Sequence, residues 1–254
     1  GRFRGDTELA LDPKQFDNLQ LRITYNSALW NAGATATGIE VHAECFDEKE
    51  IIPIGFLQTR EYERHVPTVA AAVHEVELPV DRVIRKLIVQ PFDPGVTAAN
   101  NMGIVRLDED NDKRVVFDLA QARFLEFQRK WYNRCHQYCL YVAVQGGGNP
   151  LFAAPSDTGL QNLINASGIL AIQSGAAVGG QFACITATNT DLLYGEVYGD
   201  CPYQMFSFPM GDQNKIEDWY DVTRVGDLRL RIAAGLVPPG TGSTRTILQQ
   251  LRRY

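Results

Sequence analysis

Alternation of apolar and polar residues is the feature that most constrains what this chain can fold into. Leu19, Leu21 and Ile23 alternate with polar residues, and residues 227–233 show the same pattern. A period of two places successive side chains on opposite faces, which is typical of a strand with one buried face. The sequence therefore predicts an all-β protein of about fifteen strands. They lie at residues 8–12, 19–25, 37–46, 56–66, 74–80, 83–92, 101–109, 114–120, 138–145, 168–174, 182–188, 195–198, 203–210, 227–233 and 244–251.

Two segments have helical character instead. Residues 119–134 contain no Gly or Pro and place Phe124, Phe127 and Trp131 near one helical face. Residues 214–220 are a shorter candidate. The longer helix separates the predicted strands into two groups of similar number. We therefore expect a first unit over residues 1–120, a helical connector over 121–134 and a second unit over 135–254.

Charge and apolar content argue against two classes of protein. The net charge is −6, from 24 Lys and Arg against 30 Asp and Glu. Binding to phosphates requires a surplus of cations, so we expect no specific nucleic-acid partner. No apolar run approaches the ~18 residues that a transmembrane helix needs. No signal peptide opens the sequence as given.

The cysteines indicate folding in a cytosol. There are five of them, an odd number scattered over a long chain, which makes a poor disulfide framework. We expect all five to be unpaired thiols. Alternation places Cys45 on the same face as Ile39 and Val41, the face that a sandwich would bury. The full set is Cys45, Cys135, Cys139, Cys184 and Cys201.

Residues 141–190 are almost free of charge. Asp157 is the one charged residue in these fifty positions, and Gly, Ala, Ser, Thr, Asn and Gln fill much of the rest. One interpretation is a pair of buried strands joined by polar loops. The other is a surface covered by neighbouring subunits, because interface centres are depleted in charge. The residues alone leave both open, and we expect the segment to be largely covered in the working oligomer.

Searches for catalytic and cofactor motifs give no candidate residues. The sequence contains no G-x-S-x-G elbow, no phosphate-binding loop and no G-x-G-x-x-G motif. The four histidines, at positions 42, 65, 74 and 136, form neither H-x-H nor H-E-x-x-H. We therefore predict no catalytic residue and no cofactor.

One acidic cluster has the spacing of a metal loop. Asp108, Asp110 and Asp112 match the start of a calcium loop, in which alternate carboxylates bind the ion. The Gly expected next is Lys113, and the Glu expected at the twelfth position is Leu119. A solvated acidic turn is therefore the expectation, with calcium as the alternative.

Two groups of segments resemble those of a known structural family. The first has residues 60–64 followed by a strand that ends in Leu78-Pro79 and by residues 84–89. The second has residues 205–208, a helical connector and then residues 227–232 before a final strand. Their order is similar to that in the double jelly-roll major capsid proteins of icosahedral, often membrane-containing, double-stranded DNA viruses.

This resemblance implies both a fold and a role. The fold is two eight-stranded antiparallel jelly rolls with one or two short connecting helices. The role is a structural, non-enzymatic subunit that forms homotrimers of pseudo-hexagonal outline in a virion shell, after folding in the host cytoplasm. Implied partners are further copies of the chain, vertex and minor capsid proteins and often an internal viral membrane.

A second class of function remains open at this point. A carbohydrate-binding or glycan-hydrolysing protein can also be a β-sandwich, and acidic residues are plentiful here. The two classes differ in behaviour. A capsid subunit assembles, whereas a sugar-binding protein is stabilised by its ligand.

Overall fold

The strands follow the predicted alternation over most of the chain. A computed structural model describes residues 1–24, 39–47, 50–93, 96–145, 151–152, 163–164, 169–174, 181–186, 190–238 and 240–254, with side chains given outside residues 139–197. The chain divides into two units. The N-terminal unit is Gly1–Leu57 with Leu251–Tyr254, and the main unit is Gln58–Gln250.

Fourteen strands and two α-helices occur in the described residues. The helices are α1 (Ala98–Asn101) and α2 (Gln121–Trp131). The strands are β1 (Gly55–His65), β2 (Val73–Leu78), β3 (Ile84–Phe92), β4 (Ile104–Glu109), β5 (Arg114–Ala120), β6 (Cys135–Gln145), β7 (Leu151–Phe152), β8 (Leu163–Ile164), β9 (Ile169–Ser174), β10 (Gln181–Thr186), β11 (Thr190–Gly199), β12 (Phe206–Pro209), β13 (Leu228–Ala233) and β14 (Ser243–Arg253).

Eight of these strands form two four-stranded sheets. The first sheet has the order β1-β14-β3-β12, and the second has the order β2-β13-β4-β5. β13 runs antiparallel to β2 and β4, and β14 runs antiparallel to β3. Successive strands cross repeatedly from one sheet to the other, which is the connectivity of a jelly roll. The predicted all-β jelly-roll class is confirmed.

Side chains from both sheets fill the space between them. In β13, Leu228, Leu230 and Ile232 are buried, while the residues between them lie nearer the surface. Phe124 of α2 packs on Phe208 of β12, with ring centroids 3.7 Å apart. One continuous cluster of buried apolar residues includes members of both sheets and of α2. The sandwich is therefore held together by a filled core.

A third sheet is formed by the strands between β5 and β12. Its order is β7-β10-β6-β11-β8, and β9 pairs with β10. β6 and β11 are antiparallel over ten residue pairs, from Thr190 opposite Val144 to Gly199 opposite Cys135. β10 runs parallel to β6. The chain therefore leaves the sandwich after β5, forms this sheet and returns to the sandwich at β12.

The strand pairing does not follow the predicted division into residues 1–120 and 135–254. β12, β13 and β14 lie in the same two sheets as β1–β5, so one jelly roll takes strands from both sides of α2. Alternation indicates that a segment has a buried face but carries no information about its neighbour in the sheet. The helix predicted at 119–134 is confirmed as α2. The segment 214–220 contains a short 3-10 turn, Ile216–Asp218, in place of the predicted helix.

Three predicted strands of the N-terminal unit are not found, and of residues 8–12 only Leu9 pairs, as an isolated bridge to Gly55. The described parts of the predictions at 19–25 and 37–46, residues 19–24 and 39–46, lie in no strand. Alternation makes a segment fit for a sheet, but a strand also needs a neighbouring edge to pair with. No described helix is long and apolar enough to cross a membrane.

The N-terminal unit is organised around a few specific contacts. Asp6 accepts hydrogen bonds from the guanidinium of Arg2, 2.9 Å away, and from the Arg2 backbone. These contacts hold the pKa of Asp6 well below its usual range, although burial acts in the opposite direction. Leu9 bridges to Gly55, and Tyr254 packs edge-on to Phe16 and donates a hydrogen bond to the carbonyl of Ala10.

Candidate functional site

The acidic turn singled out in the sequence joins β4 to β5. Asp110, Asn111 and Asp112 all have positive φ, between 48° and 66°. Asp and Asn tolerate this left-handed conformation better than most residues. The carboxylate of Asp110 accepts hydrogen bonds from the backbone N–H groups of Gly226 and Asp227, at 2.9 and 3.1 Å. The turn is thereby tied to the residues that lead into β13.

Arginines hold the other two carboxylates of this turn. The side chain of Asp108 is fully buried and lies 3.2 Å from Arg231 and 3.7 Å from Arg106. Asp112 pairs with the same two arginines, at 2.8 Å from Arg231. The hydrogen bond from Arg231, followed by the charges of both arginines, lowers the pKa of Asp112. A cation at this turn would have to displace these groups.

The ion pairs continue across the outer face of the second sheet. Glu75 of β2 pairs with Arg229 and Arg231 of β13 at 3.2 and 2.9 Å. Arg106 of β4 also lies 3.5 Å from Asp118 of β5. Four neighbouring strands are thus linked by alternating charges. In the part of the chain that the structure describes, no group of three or more His, Cys, Asp or Glu side chains is placed to hold a metal ion. Calcium at the turn stays the alternative to a metal-free turn.

A second cluster lies where β1 ends and β2 begins. The rings of His65 and His74 are stacked, with centroids 3.9 Å apart and planes within 4°. His74 Nε2 lies 2.6 Å from a carboxylate oxygen of Glu63. Burial, and then the neighbouring His74, lower the pKa of His65. In the sequence these histidines are nine residues apart and fit no motif. The sequence feature that could have indicated their contact is their position on either side of the connection between two predicted strands.

A small enclosed cavity lies beside the histidine pair. It has a volume of about 10 Å³, close to the space that one water molecule needs. Asn101 and Thr244 line it, and both are buried with side-chain polar atoms that have no hydrogen-bond partner. A buried polar group without a partner costs about 1–3 kcal/mol, so this corner is suited to an ordered water.

The N-terminal unit presents an apolar surface to solvent. Of the 22 exposed large apolar side chains found among the described residues, eleven lie in this unit. Of the 23 buried apolar residues, two lie there, Leu9 and Leu251. The exposed set is Phe3, Leu11, Leu19, Leu21, Ile23, Ile39, Val41, Phe46, Ile52, Ile54 and Tyr254. This excess of exposed over buried apolar residues makes the unit a candidate surface for contact with other molecules.

The interface predicted at residues 141–190 falls where the structure describes no side chains. The backbone of that stretch includes β7–β10 and parts of β6 and β11. Whether those residues are covered by neighbouring subunits stays a prediction. The exposed apolar residues of the N-terminal unit are a second candidate surface. The sequence did not reveal it, because an alternating segment is expected to bury its apolar face.

The described cysteines agree with the thiol prediction and correct one detail of it. Cys45, Cys135 and Cys201 form no disulfide. Cys201 is buried, as expected of a small apolar residue, but Cys45 is exposed together with Ile39 and Val41. The predicted burial of the face at 39–45 is therefore wrong, because no second layer among the described residues covers it. The side chains of Cys139 and Cys184 lie outside the described residues.

Comparison with known proteins identifies similar solved structures. No family model and no curated protein matches the chain. The chain is similar to a chain in the structure of Sulfolobus turreted icosahedral virus, with 14% identity and a TM-score of 0.40, over 77% of this chain and 45% of that chain. The chain is also similar to the major capsid protein of the same virus in its crystal structure, with 13% identity and a TM-score of 0.40, over 78% of this chain and 49% of that chain.

A third similar structure is the major capsid protein of bacteriophage PM2. The identity is 9% and the TM-score 0.24, over 78% of this chain and 98% of that chain. The chain spans about half the length of the two Sulfolobus virus chains that it matches. The second and third of these structures are of major capsid proteins.

Proposed function

We propose that the chain is a structural subunit of a viral capsid shell. The observation that carries the proposal is that one chain contains both a jelly roll with a filled core and a unit whose apolar residues face solvent. The interior of the sandwich is occupied by its own side chains, so its rigidity is intrinsic. The N-terminal unit exposes the apolar area that a permanent interface between subunits buries.

The finer parts of the proposal follow from the family resemblance. The subunits form homotrimers of pseudo-hexagonal outline, built as double jelly rolls and packed side by side in an icosahedral shell. The shell also contains vertex and minor capsid proteins and encloses a membrane in many of the related viruses. The protein folds in the host cytoplasm and then functions in the virion, without catalysis.

The outer face of the second sheet supports a shell role in a different way. Its arginines and carboxylates neutralise one another across four strands. Networks of this kind add rigidity. Because their charges are balanced, the face does not attract a strongly acidic or a strongly basic partner. Lateral contacts are therefore expected on other surfaces, including the N-terminal unit and residues 141–190.

Size-exclusion chromatography with light scattering tests the proposal. We expect a particle of three times 28.3 kDa, or larger shells visible by electron microscopy. A chain that stays monomeric at every concentration up to the limit of its solubility would contradict a capsid role. A rise in melting temperature with a panel of oligosaccharides would favour the carbohydrate-binding alternative.

A further inference from the structure

The segment 39–47 has the pattern of a strand but no strand partner. Ile39 and Val41 are about half exposed, at 50% and 57%, and Cys45 is exposed beside them. The alternate positions carry Glu40, His42 and Glu44, which are also exposed. The backbone of these residues belongs to no helix or strand. The segment therefore has apolar side chains and backbone groups available for pairing with a sheet edge.

β1 provides such an edge. Among the described strands, β1 lies at one end of its sheet and pairs with β14 alone, and Leu9 occupies its other side at Gly55. From Gln58 to His65, no strand of the described chain pairs with that side. Arg60 and Tyr62 are exposed there, and Arg64 is about half exposed. Exposed sheet edges are templates for an added strand.

In antiparallel pairing, one register matches both pairs of opposite charges on the two segments. Glu40 and Glu44 are four residues apart, and so are Arg60 and Arg64. In an antiparallel pair, Glu40 lies opposite Arg64 when Glu44 lies opposite Arg60. Opposite charges directly across a pair of strands are stabilising. The same register places His42 opposite Tyr62.

The pairing is favoured between two chains over pairing within one. A hairpin in this register needs a connection of residues 46–58, much longer than the two to five residues of common hairpins. In this register the pair nearest the connection is Cys45 opposite Thr59, and the connection itself would run past the Gly55 end of β1, where Leu9 already lies. A segment from a second copy can reach residues 58–65 without using that end.

We propose that residues 39–47 of one copy add as an antiparallel strand to the β1 edge of a second copy. Glu44 then exchanges its exposed ion pair with Arg4 for one with the second copy's Arg60. Arg64 keeps its contact with Glu61 and gains Glu40. The inference rests on the proposed function, because it names one contact through which the shell subunits associate.

Disulfide trapping tests the register. The register puts Cys45 of one chain opposite Thr59 of the other, at a Cα separation of about 4.5–5.5 Å that a disulfide can span. One chain carries the native Cys45, and the other carries Cys45→Ser with Thr59→Cys. We expect a covalent dimer that reductant removes. The matched control places the cysteine two residues along, as Glu61→Cys, where the distance of about 7–8 Å should lower the yield at least about fivefold.

The outcomes separate this inference from the proposed function. Trimers or shells that form without any covalent dimer between the native chain and the Thr59→Cys chain would overturn the inference and leave the capsid role standing. Absence of any assembly would overturn the capsid role itself. A disulfide that forms within a single chain carrying both Cys45 and Thr59→Cys, and never between mixed chains, shows that the segment folds back on its own β1, which also overturns the inference.

Charge reversal gives an independent test. Glu40→Arg with Glu44→Arg should weaken self-association at least about tenfold, as should Arg60→Glu with Arg64→Glu. Each chain supplies both partners, so combining all four changes should restore association to within about threefold of the native chain. The matched control, Asp17→Arg with Glu50→Arg, changes the net charge equally at exposed positions of the same unit and should have little effect. If the variant with all four changes does not regain self-association while the control associates normally, the proposed register is overturned.

Discussion

The N-terminal unit and the main unit both contain segments in which apolar and polar residues alternate, but the apolar residues are exposed in the first and buried in the second. Leu228, Leu230 and Ile232 in β13 alternate with polar residues and are buried. Leu19 and Leu21 alternate in the same way, and Leu21 is 69% exposed. The difference is that β13 lies between two neighbouring strands and under a second sheet, whereas residues 19–24 lie in no strand. Alternation thus shows that a segment has an apolar face that can be buried. Burial occurs only where the rest of the chain, or another chain, covers that face.

The largest expected contrast between the units is in core stability. Leu230→Ala should lower the free energy of unfolding by about 2–5 kcal/mol, because it leaves a cavity in a filled core. Leu21→Ala removes the same atoms from an exposed position and should change it by less than about 0.5 kcal/mol. Urea unfolding followed by tryptophan fluorescence measures both. Equal losses from the two variants would show that the N-terminal unit has a buried core of its own.

A smaller contrast is expected between the ion pairs of the two units. Arg231→Leu leaves the fully buried Asp108 with the more distant Arg106, and removes a partner of Glu75. Burial of a carboxylate with a weakened partner is unfavourable, so the urea midpoint should fall at both low and high salt. Arg4→Leu breaks an ion pair between two exposed side chains and should leave the midpoint unchanged. A midpoint for Arg231→Leu that equals the native one would contradict the structural role of the network.

The histidine corner predicts a modest dependence of stability on pH. The pKa of His65 is lowered in the folded protein by burial and by His74, so the unfolded chain binds a proton first as the pH falls. Glu63 also faces the pair and acts in the opposite direction. The contribution of His65 is fully present above its unfolded pKa of about 6.5 and is lost as the pH falls through the folded value. His65→Gln should flatten the curve of unfolding free energy between about pH 7 and 5.

The matched control for the pH experiment lies in the other unit. His42 is exposed there, and His42→Gln should leave the shape of the curve as in the native chain. A curve for His65→Gln that remains as steep as the native one would place the acid sensitivity elsewhere in the molecule.

The smallest expected difference is in the reactivity of two cysteine thiols, which reports their exposure and leaves the stability of the protein unchanged. Cys45 is exposed and Cys201 is buried, so a thiol reagent should modify Cys45 in the native monomer and Cys201 after unfolding. Mass spectrometry of the labelled peptides distinguishes the two. Cys45→Ser should remove the label on its peptide without changing that of Cys201. Protection of Cys45 on assembly would sharpen the comparison further, because it would show where the N-terminal unit becomes covered.

Prediction from the sequence was most reliable for single elements and least reliable for their partners. The strands β2, β3, β5 and β13 and the helix α2 were found within about three residues of their limits. Local alternation and helical periodicity report which face of an element is apolar, and these elements are covered in the fold. The division at α2 was not followed by the strand pairing, because which strand neighbours which depends on contacts between distant residues.

The site residues show the same limit. Asp108, Asp110 and Asp112 were chosen for their spacing, but Arg106 and Arg231, which pair with two of them, lie on β4 and β13 and share no motif with the turn. The stacking of His65 on His74 depends on how the chain turns between β1 and β2. Spacing predicts a site when its residues lie close in sequence, and these groups come together through the fold.

The strand order also determines when this protein can fold during its synthesis. β1 has β14 as its neighbour in the sheet, and β2 has β13. A growing chain that has not yet reached residue 228 therefore holds two strands whose neighbours do not exist, along with the apolar faces that those neighbours will cover. Contacts between residues so far apart slow folding and expose partly formed sheets to aggregation. A pause in synthesis within β6–β11 would leave the sandwich half-formed, so the supply of chaperones that bind nascent chains should limit the yield of folded protein.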